Sequence, residues 1–168
     1  GSFIDIGCSG KEISNTLGLE ELGWRGILMD NRPDALTCPR ESKFIVCDAT
    51  QYPWPREARQ VDYLSLDVDA AGLAALKNLP LDVLRFRALT VEHDVFSYPS
   101  VEASFQTEMR AILTAAHYHM ICGNVAFGWG DPYEDWWVSE ELVKRADKFR
   151  SNDKHWSQIF SQYYGTAS

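Results

Sequence analysis

Residues 3–16 read FIDIGCSGKEISNT. Phe3, Ile4 and Ile6 form a short apolar run suited to a buried strand. Gly7 and Gly10 bracket a tight turn in which side chains would obstruct a ligand. Ser9, followed three residues later by Glu12, matches a capping box, so a helix is expected to begin directly after the turn. A strand, a glycine turn and a helix in this order aim free N–H groups and the positive end of the helix dipole at the crevice above the strand. A carboxylate or phosphate of a cofactor fits there. A plain βα connection has the same outline, so the reading needs support from the rest of the chain.

A dinucleotide-binding turn calls for GxGxxG, and position 9 is Ser where the second glycine would let a pyrophosphate approach. The pattern present is D-x-G-x-x-G, with Asp5 inside the strand.

Downstream, Ile13, Leu17 and Leu22 supply an apolar helix face that stops at Gly23, and GILMD, Gly26 to Asp30, reads as the second strand. An acidic residue closing the second strand, about 20 residues past the glycine turn, is placed to accept hydrogen bonds from ribose hydroxyls. Asp30 meets that description, with Asn31 beside it; the alternative is an Asp that opens the turn Asn31-Arg32-Pro33. Phe44 to Cys47 form a third strand. Asp48 and Ala49 follow at the place where such folds contact adenine, although Asp48 equally suits a turn start. Prolines in the following TQYPWP forbid a long helix there.

Val61 to Val68 alternates so that Tyr63, Ser65, Asp67 and Asp69 share one direction. Ala70 to Leu79 is a modest helix, and Ala88 to Glu92 a fifth strand that brings Glu92, His93 and Asp94 to its C-terminal end. Val101, Phe105, Met109, Ile112 and Ala116 mark a helix with one core face. Tyr118–Phe127 and 133–138 read as an antiparallel hairpin connected through Gly128, Gly130 and Pro132, after which Ser139 is positioned to cap a final helix. The order of elements implies a doubly wound, mostly parallel seven-stranded α/β sheet with a C-terminal antiparallel hairpin, its ligands lying over the C-terminal strand ends.

The 168 residues suffice for one domain with its own core. A net charge of −8 and the lack of a long Lys/Arg run argue against a nucleic-acid partner and favour small-molecule substrates. Cys8, Cys38, Cys47 and Cys122 form no CxxC pair and no N-x-[ST] sequon occurs, so the chain is expected to be cytoplasmic. No apolar run approaches the roughly 20 residues of a membrane span. Because the chain opens almost directly in a strand, Gly1 and Ser2 are read either as added residues or as the start of a fragment lacking N-terminal elements.

The segments FIDIGCSGKEISNTLGLEELGWRGILMD, VDYLSLDVDAAGLAALKNL, LTVEHD and PYEDWWV resemble the FkbM-type family of S-adenosylmethionine-dependent methyltransferases. The resemblance implies a Rossmann-like methyltransferase sheet. It also implies a cofactor site made by Asp5, Gly7, Cys8, Ser9, Gly10, Asp30, Asn31, Asp48, Ala49 and Asp67. A D-V-E-G-like motif follows the fourth strand in that family; here Asp69 stands for the Glu and Ala70-Ala71-Gly72 surround the glycine position.

Methyl transfer to a hydroxyl needs alignment and removal of a proton. Asp67, Asp69, Glu92 and His93 are the expected catalytic corner: His93 suits a base, and Asp67 with Glu92 suits a Mg²⁺ or Mn²⁺ ion. The structural alternative makes them residues that fix loops. His117 and His119, two apart on a strand without a third ligand, read as surface residues. Trp129, Tyr133, Trp136 and Trp137, near Asp131, Glu134 and Asp135, are placed either to wall an acceptor pocket or to form core or a homodimer contact. The expected function is O-methylation of a small-molecule or glycan hydroxyl. A nucleotide-dependent oxidoreductase and a catalytically silent S-adenosylmethionine-binding module are the alternatives.

Overall fold

The computed structural model of the protein describes residues 1–10, 14–93, 95, 99–127 and 131–164. The strands are β1 (Ser2–Ile6), β2 (Arg25–Asp30), β3 (Lys43–Val46), β4 (Arg59–Leu66), β5 (Leu84–Glu92), β6 (Tyr118–Phe127), β7 (Asp131–Ser139) and β8 (Ser151–Asn152). They form one sheet in the order β3-β2-β1-β4-β5-β7-β6-β8. β1 to β5 pair in parallel, β7 runs antiparallel between β5 and β6, and β8 lies parallel to β6. This is the doubly wound sheet with a C-terminal hairpin that the sequence predicts, with one strand more than expected. β8 is only the pair Ser-Asn, tied to β6 by Gly123 N–H donating to Asn152 Oδ1 (3.1 Å) and Asp153 N–H to the Gly123 carbonyl (2.9 Å). Two polar residues carry no hydrophobic period by which to be read.

Parallel strands covered on both faces are apolar along their length. Ile4, Ile6, Leu64, Leu66, Leu89 and Val91 are accordingly buried. They pack in one cluster with Leu73 and Leu76 of α2 (Gly72–Asn78) and Met109 and Leu113 of α3 (Pro99–Ala115). In α3, Phe105, Met109, Ile112 and the following Ala116 pack on the core as expected, joined by the fully buried Leu113; the side chain of Val101 lies outside the described residues. A second cluster joins Phe3, Cys8 and Leu28 to Leu19 of α1 (Leu17–Glu21), Trp24 and Leu36. A third gathers Ile121, Cys122, Val125 and Val138 under α4 (Val143–Ala146) and Ile159 of α5 (Trp156–Tyr164). Among the described residues no helix is long and apolar enough to cross a membrane.

The first helix is shorter than predicted. Glu12 and Ile13 lie outside the described residues, and the described helix begins only at Leu17, its N–H donating to Ser14 Oγ at 3.1 Å. The expected capping box of Ser9 and Glu12 lies partly outside the described residues. Leu22 follows the last helical turn and is 78% exposed, while Glu20 is the residue buried. Gly23 closes the helix as expected, with φ +84°; its N–H donates to the Glu20 carbonyl and that of Trp24 to Leu19. Ser139 precedes a 3-10 turn (Glu140–Leu142) and its hydroxyl makes no capping bond. His117 sits in the turn before β6 with φ +63°, not on the strand, and His119 pairs with Glu140 at 2.5 Å.

The lower half of β5 extends beyond its pairing with β7, so the Phe86 N–H finds no strand partner on that side. Tyr118, 2% exposed at the start of β6, supplies its hydroxyl oxygen at 2.8 Å. Tyr118→Phe leaves that buried donor unsatisfied and is expected to lower unfolding free energy by about 1–3 kcal/mol in urea titration.

Candidate functional site

β2 and β3 lie on one side of β1, and β4 and β5 on the other. The sheet order therefore reverses between β1 and β4, where a crevice opens above the strand ends. At that point Gly7 adopts φ +88°, and a Cβ placed on it would lie 1.5 Å from the Asp67 carbonyl oxygen and 2.9 Å from Val68 Cγ1. A Cβ on Gly10 would lie 2.0 Å from Thr37 Oγ1. Gly7 is thus required by close approach of backbone, while Gly10 is crowded by the Thr37 side chain. The turn's N–H groups are less free than expected: Gly7 and Cys8 both donate to the Met29 carbonyl, at 2.8 and 3.2 Å. Cys8 is buried, and burial with the charges of Asp5 and Asp30 pushes its thiol up to about 12, leaving it inert. Ser9 is half-buried in the turn.

Beneath the turn lies a buried polar network. Asp5, 1% exposed, accepts from Thr16 Oγ1 at 2.5 Å through Oδ2, while Oδ1 has no hydrogen-bond partner among the described residues. Thr16 Oγ1 in turn accepts from Arg40 Nη2 at 2.8 Å, and Arg40 Nε donates to Glu20 Oε2 at 2.5 Å. The Arg40 side chain is 1% exposed. Burial raises the Asp5 carboxyl to about 6 against the lowering effects of the Thr16 bond and the Arg40 charge. Thr16, Glu20 and Arg40 were missed by sequence reasoning. A carboxylate inside an apolar strand signals that partners exist, but nothing in the loop around Arg40 marks it as one of them.

Asp30 closes β2, 8% exposed. Its Oδ1 accepts from Arg32 N–H (2.8 Å) and Nε (3.1 Å), while Oδ2 has one long contact to Arg32 Nη2 at 3.4 Å. Asp30 therefore opens the turn and keeps an acceptor oxygen with little engagement. Asn31 is exposed beside it. Asp48 is exposed and spent on its own turn: Oδ1 accepts from Thr50 N–H (2.8 Å) and Oγ1 (2.7 Å). The Ala49 carbonyl accepts from Asn78 Nδ2 at 2.9 Å.

The expected acidic corner divides in two. β4 ends at Leu66, so the alternation does not reach Asp69, which adopts φ +47°. Asp69, Glu92 and His93 line a small cleft with Leu73, Phe105 and Met109. Glu92, 6% exposed, accepts the Asp69 N–H at 3.3 Å. Asp67 does not line that cleft; its Oδ2 accepts from Tyr133 Oη at 2.9 Å and from Asn15 Nδ2 at 3.2 Å. No group of three His, Cys, Asp or Glu side chains able to hold a metal ion occurs among the described residues, so the pairing of Asp67 with Glu92 around Mg²⁺ or Mn²⁺ gains no support. Asp94 lies outside the described residues.

The His93 side chain is 1% exposed. Its Nδ1 accepts the Val95 N–H at 3.4 Å and its Nε2 lies 3.7 Å from Asp135 Oδ1. Asp135 is held by Arg110 Nε and Nη2 at 2.7 and 2.8 Å and by the Asn124 N–H at 2.9 Å. Burial raises the Asp135 carboxyl, but the bonds from Arg110 and Asn124 and the nearby His93 ring lower it further, to about 2. His93 Nε2 is buried without a hydrogen-bond partner among the described residues.

Of the aromatics, Trp137 is 3% exposed and belongs to the core, Tyr133 and Trp136 are half-buried, and Trp129 lies outside the described residues. Trp136 Nε1 donates to Glu134 Oε1 at 2.6 Å.

No protein-family model and no curated protein matches the chain. Among solved structures, its fold is shared with methyltransferases. The bifunctional kinase-methyltransferase WbdD matches with a TM-score of 0.54 at 18% identity, over 82% of this chain and 34% of its own. The N-methyltransferase NodS from Bradyrhizobium japonicum WM9 matches with a TM-score of 0.50 at 14% identity, over 83% of this chain and 85% of its own. The chain thus spans about a third of WbdD.

An acid whose folded-state pKa is raised withdraws stability as pH climbs from its unfolded to its folded value. Asp5→Asn keeps an acceptor for Thr16 and carries no charge. Its unfolding free energy relative to wild type is therefore expected to rise by about 3 kcal/mol across the window from 3.8 to about 6, measured by urea titration at each pH.

Proposed function

We propose that the chain is an S-adenosylmethionine-dependent methyltransferase, of the FkbM type its sequence resembles, that methylates a hydroxyl of a small molecule or glycan. The observation that carries this reading is the bare backbone at Gly7, packed against the Asp67 carbonyl at the sheet's reversal point with the Asp30 carboxylate at the neighbouring strand end. The fold shared with two methyltransferases supports it.

The residues present fit the cofactor. A nucleoside needs an acceptor for its ribose hydroxyls beside a bare stretch of backbone, and Oδ2 of Asp30 beside Gly7 meets both requirements. Ala49 and Asp48, past β3, border the same edge of the sheet on the adenine side. When bound, the cofactor supplies an electrophilic methyl group on a sulfonium sulfur. The chain's own residues then have to orient the acceptor and take up its proton. Asp67, fixed by Tyr133 and Asn15, stands at the head of the crevice.

Calorimetry with S-adenosylmethionine, S-adenosylhomocysteine and NAD tests the reading. The first two are expected to bind and NAD is not; equal affinity for NAD, or no binding of the first two, overturns it. Asp30→Ala is expected to weaken cofactor binding by about 1–3 kcal/mol, the range for hydrogen bonds to a charged acceptor.

A further inference from the structure

On the sheet face opposite α2 and α3, polar side chains from successive strands line up. Ser65 of β4 is level with Thr90 of β5, and Thr90 with Trp136 of β7. Tyr63 Oη and Thr90 Oγ1 lie 2.7 Å apart on this face. Glu134 stands near its upper end, half-buried, with the Trp136 indole donating to Oε1 at 2.6 Å. The adjacent Tyr133 reaches Asp67 with its hydroxyl, so the strand that carries Glu134 is tied to the switch point where Gly7 meets the Asp67 carbonyl. No Lys or Arg pairs with Glu134 among the described residues, in contrast to its neighbour Asp135, which Arg110 clamps from the opposite face.

We propose that Glu134 is the proton acceptor for the acceptor hydroxyl, with its indole-bonded oxygen as anchor and its second oxygen as base. The assignment rests on the methyltransferase reading. In the step, the acceptor O–H bond breaks and its proton goes to Glu134. The acceptor oxygen forms the new bond to the methyl carbon, and the pair from the broken carbon–sulfur bond stays on sulfur as a thioether.

The surroundings suit this role. Burial raises the carboxyl most, the Trp136 bond opposes it, and the charges of Asp67 and Asp135 raise it further, to about 7. The other ionisable groups here are Glu92 on β5 and the phenols of Tyr63 and Tyr133. Burial pushes both phenols above their ordinary value, so they stay neutral. A base poised near neutrality is efficient. His93, by contrast, directs its ring to Asp135 and Val95.

The Trp136 indole reports Glu134 directly, with no cofactor present. In ¹H–¹⁵N spectra its N–H resonance is expected to titrate with a midpoint near 7, and Glu134→Gln is expected to abolish that titration. Phenol and methyl glucoside then serve as hydroxyl probes with labelled S-adenosylmethionine. Glu134→Gln is expected to cut methyl transfer about 10²–10⁴-fold with S-adenosylhomocysteine affinity unchanged, and Glu134→Asp to retain part of it. A pH-independent indole resonance overturns the assignment, as does a Gln variant that methylates at the wild-type rate above pH 7 while still binding cofactor. Failure of the wild type to bind S-adenosylmethionine, or to methylate either probe, overturns the underlying reading and the assignment with it. Thermal melts of both variants exclude loss of fold as the cause of a lower rate.

Discussion

The backbone at Gly7 passes so close to the Asp67 carbonyl that no side chain fits between them. That contact joins the ends of β1 and β4, the two strands between which the sheet reverses its order. It is reinforced by Asp67 N–H donating to the Ile6 carbonyl at 2.9 Å and Gly7 N–H to Met29 at 2.8 Å, so three strand ends are locked at one point. The crevice above them follows from topology: crossovers on either side of β1 leave by opposite faces and part there. A glycine is needed both for the positive φ and for the missing Cβ.

Two buried polar networks hold the ends of the sheet on opposite sides of that point. Asp5, Thr16, Arg40 and Glu20 tie the first helix and the loop after β2 to β1. His93, Asp135, Arg110 and Asn124 tie the end of β5 to α3 and the hairpin. Buried ion pairs add little net stability compared with apolar packing, but removing one partner leaves a charge stranded and is strongly unfavourable. These networks therefore specify geometry more than they add stability.

Much of the fold was legible because the signals are hydrophobic periods and punctuation. FIDI, GILM and LSL are buried strands, the Met109 to Leu113 face is buried helix, and Gly23 stops α1. Illegible were elements whose placement depends on tertiary partners: β8, two polar residues hung on Gly123, and α5, which covers the hairpin cluster. For the site, sequence named Gly7, Asp30 and Asp67 at the strand ends where they lie. It placed Asp69 by an alternation that stops at Leu66. Arg40 escaped notice because its part in the site comes from burial among Thr16 and Glu20, which no local pattern marks.

Backbone ¹H–¹⁵N shift mapping with S-adenosylhomocysteine is the most direct test of whether the crevice at Gly7 holds the cofactor. Perturbations concentrated at residues 5–10, 30–32 and 67–69, which three strand ends bring together, are the predicted result. Perturbations confined to other surfaces, or none at saturating ligand, would contradict the cofactor site at Gly7.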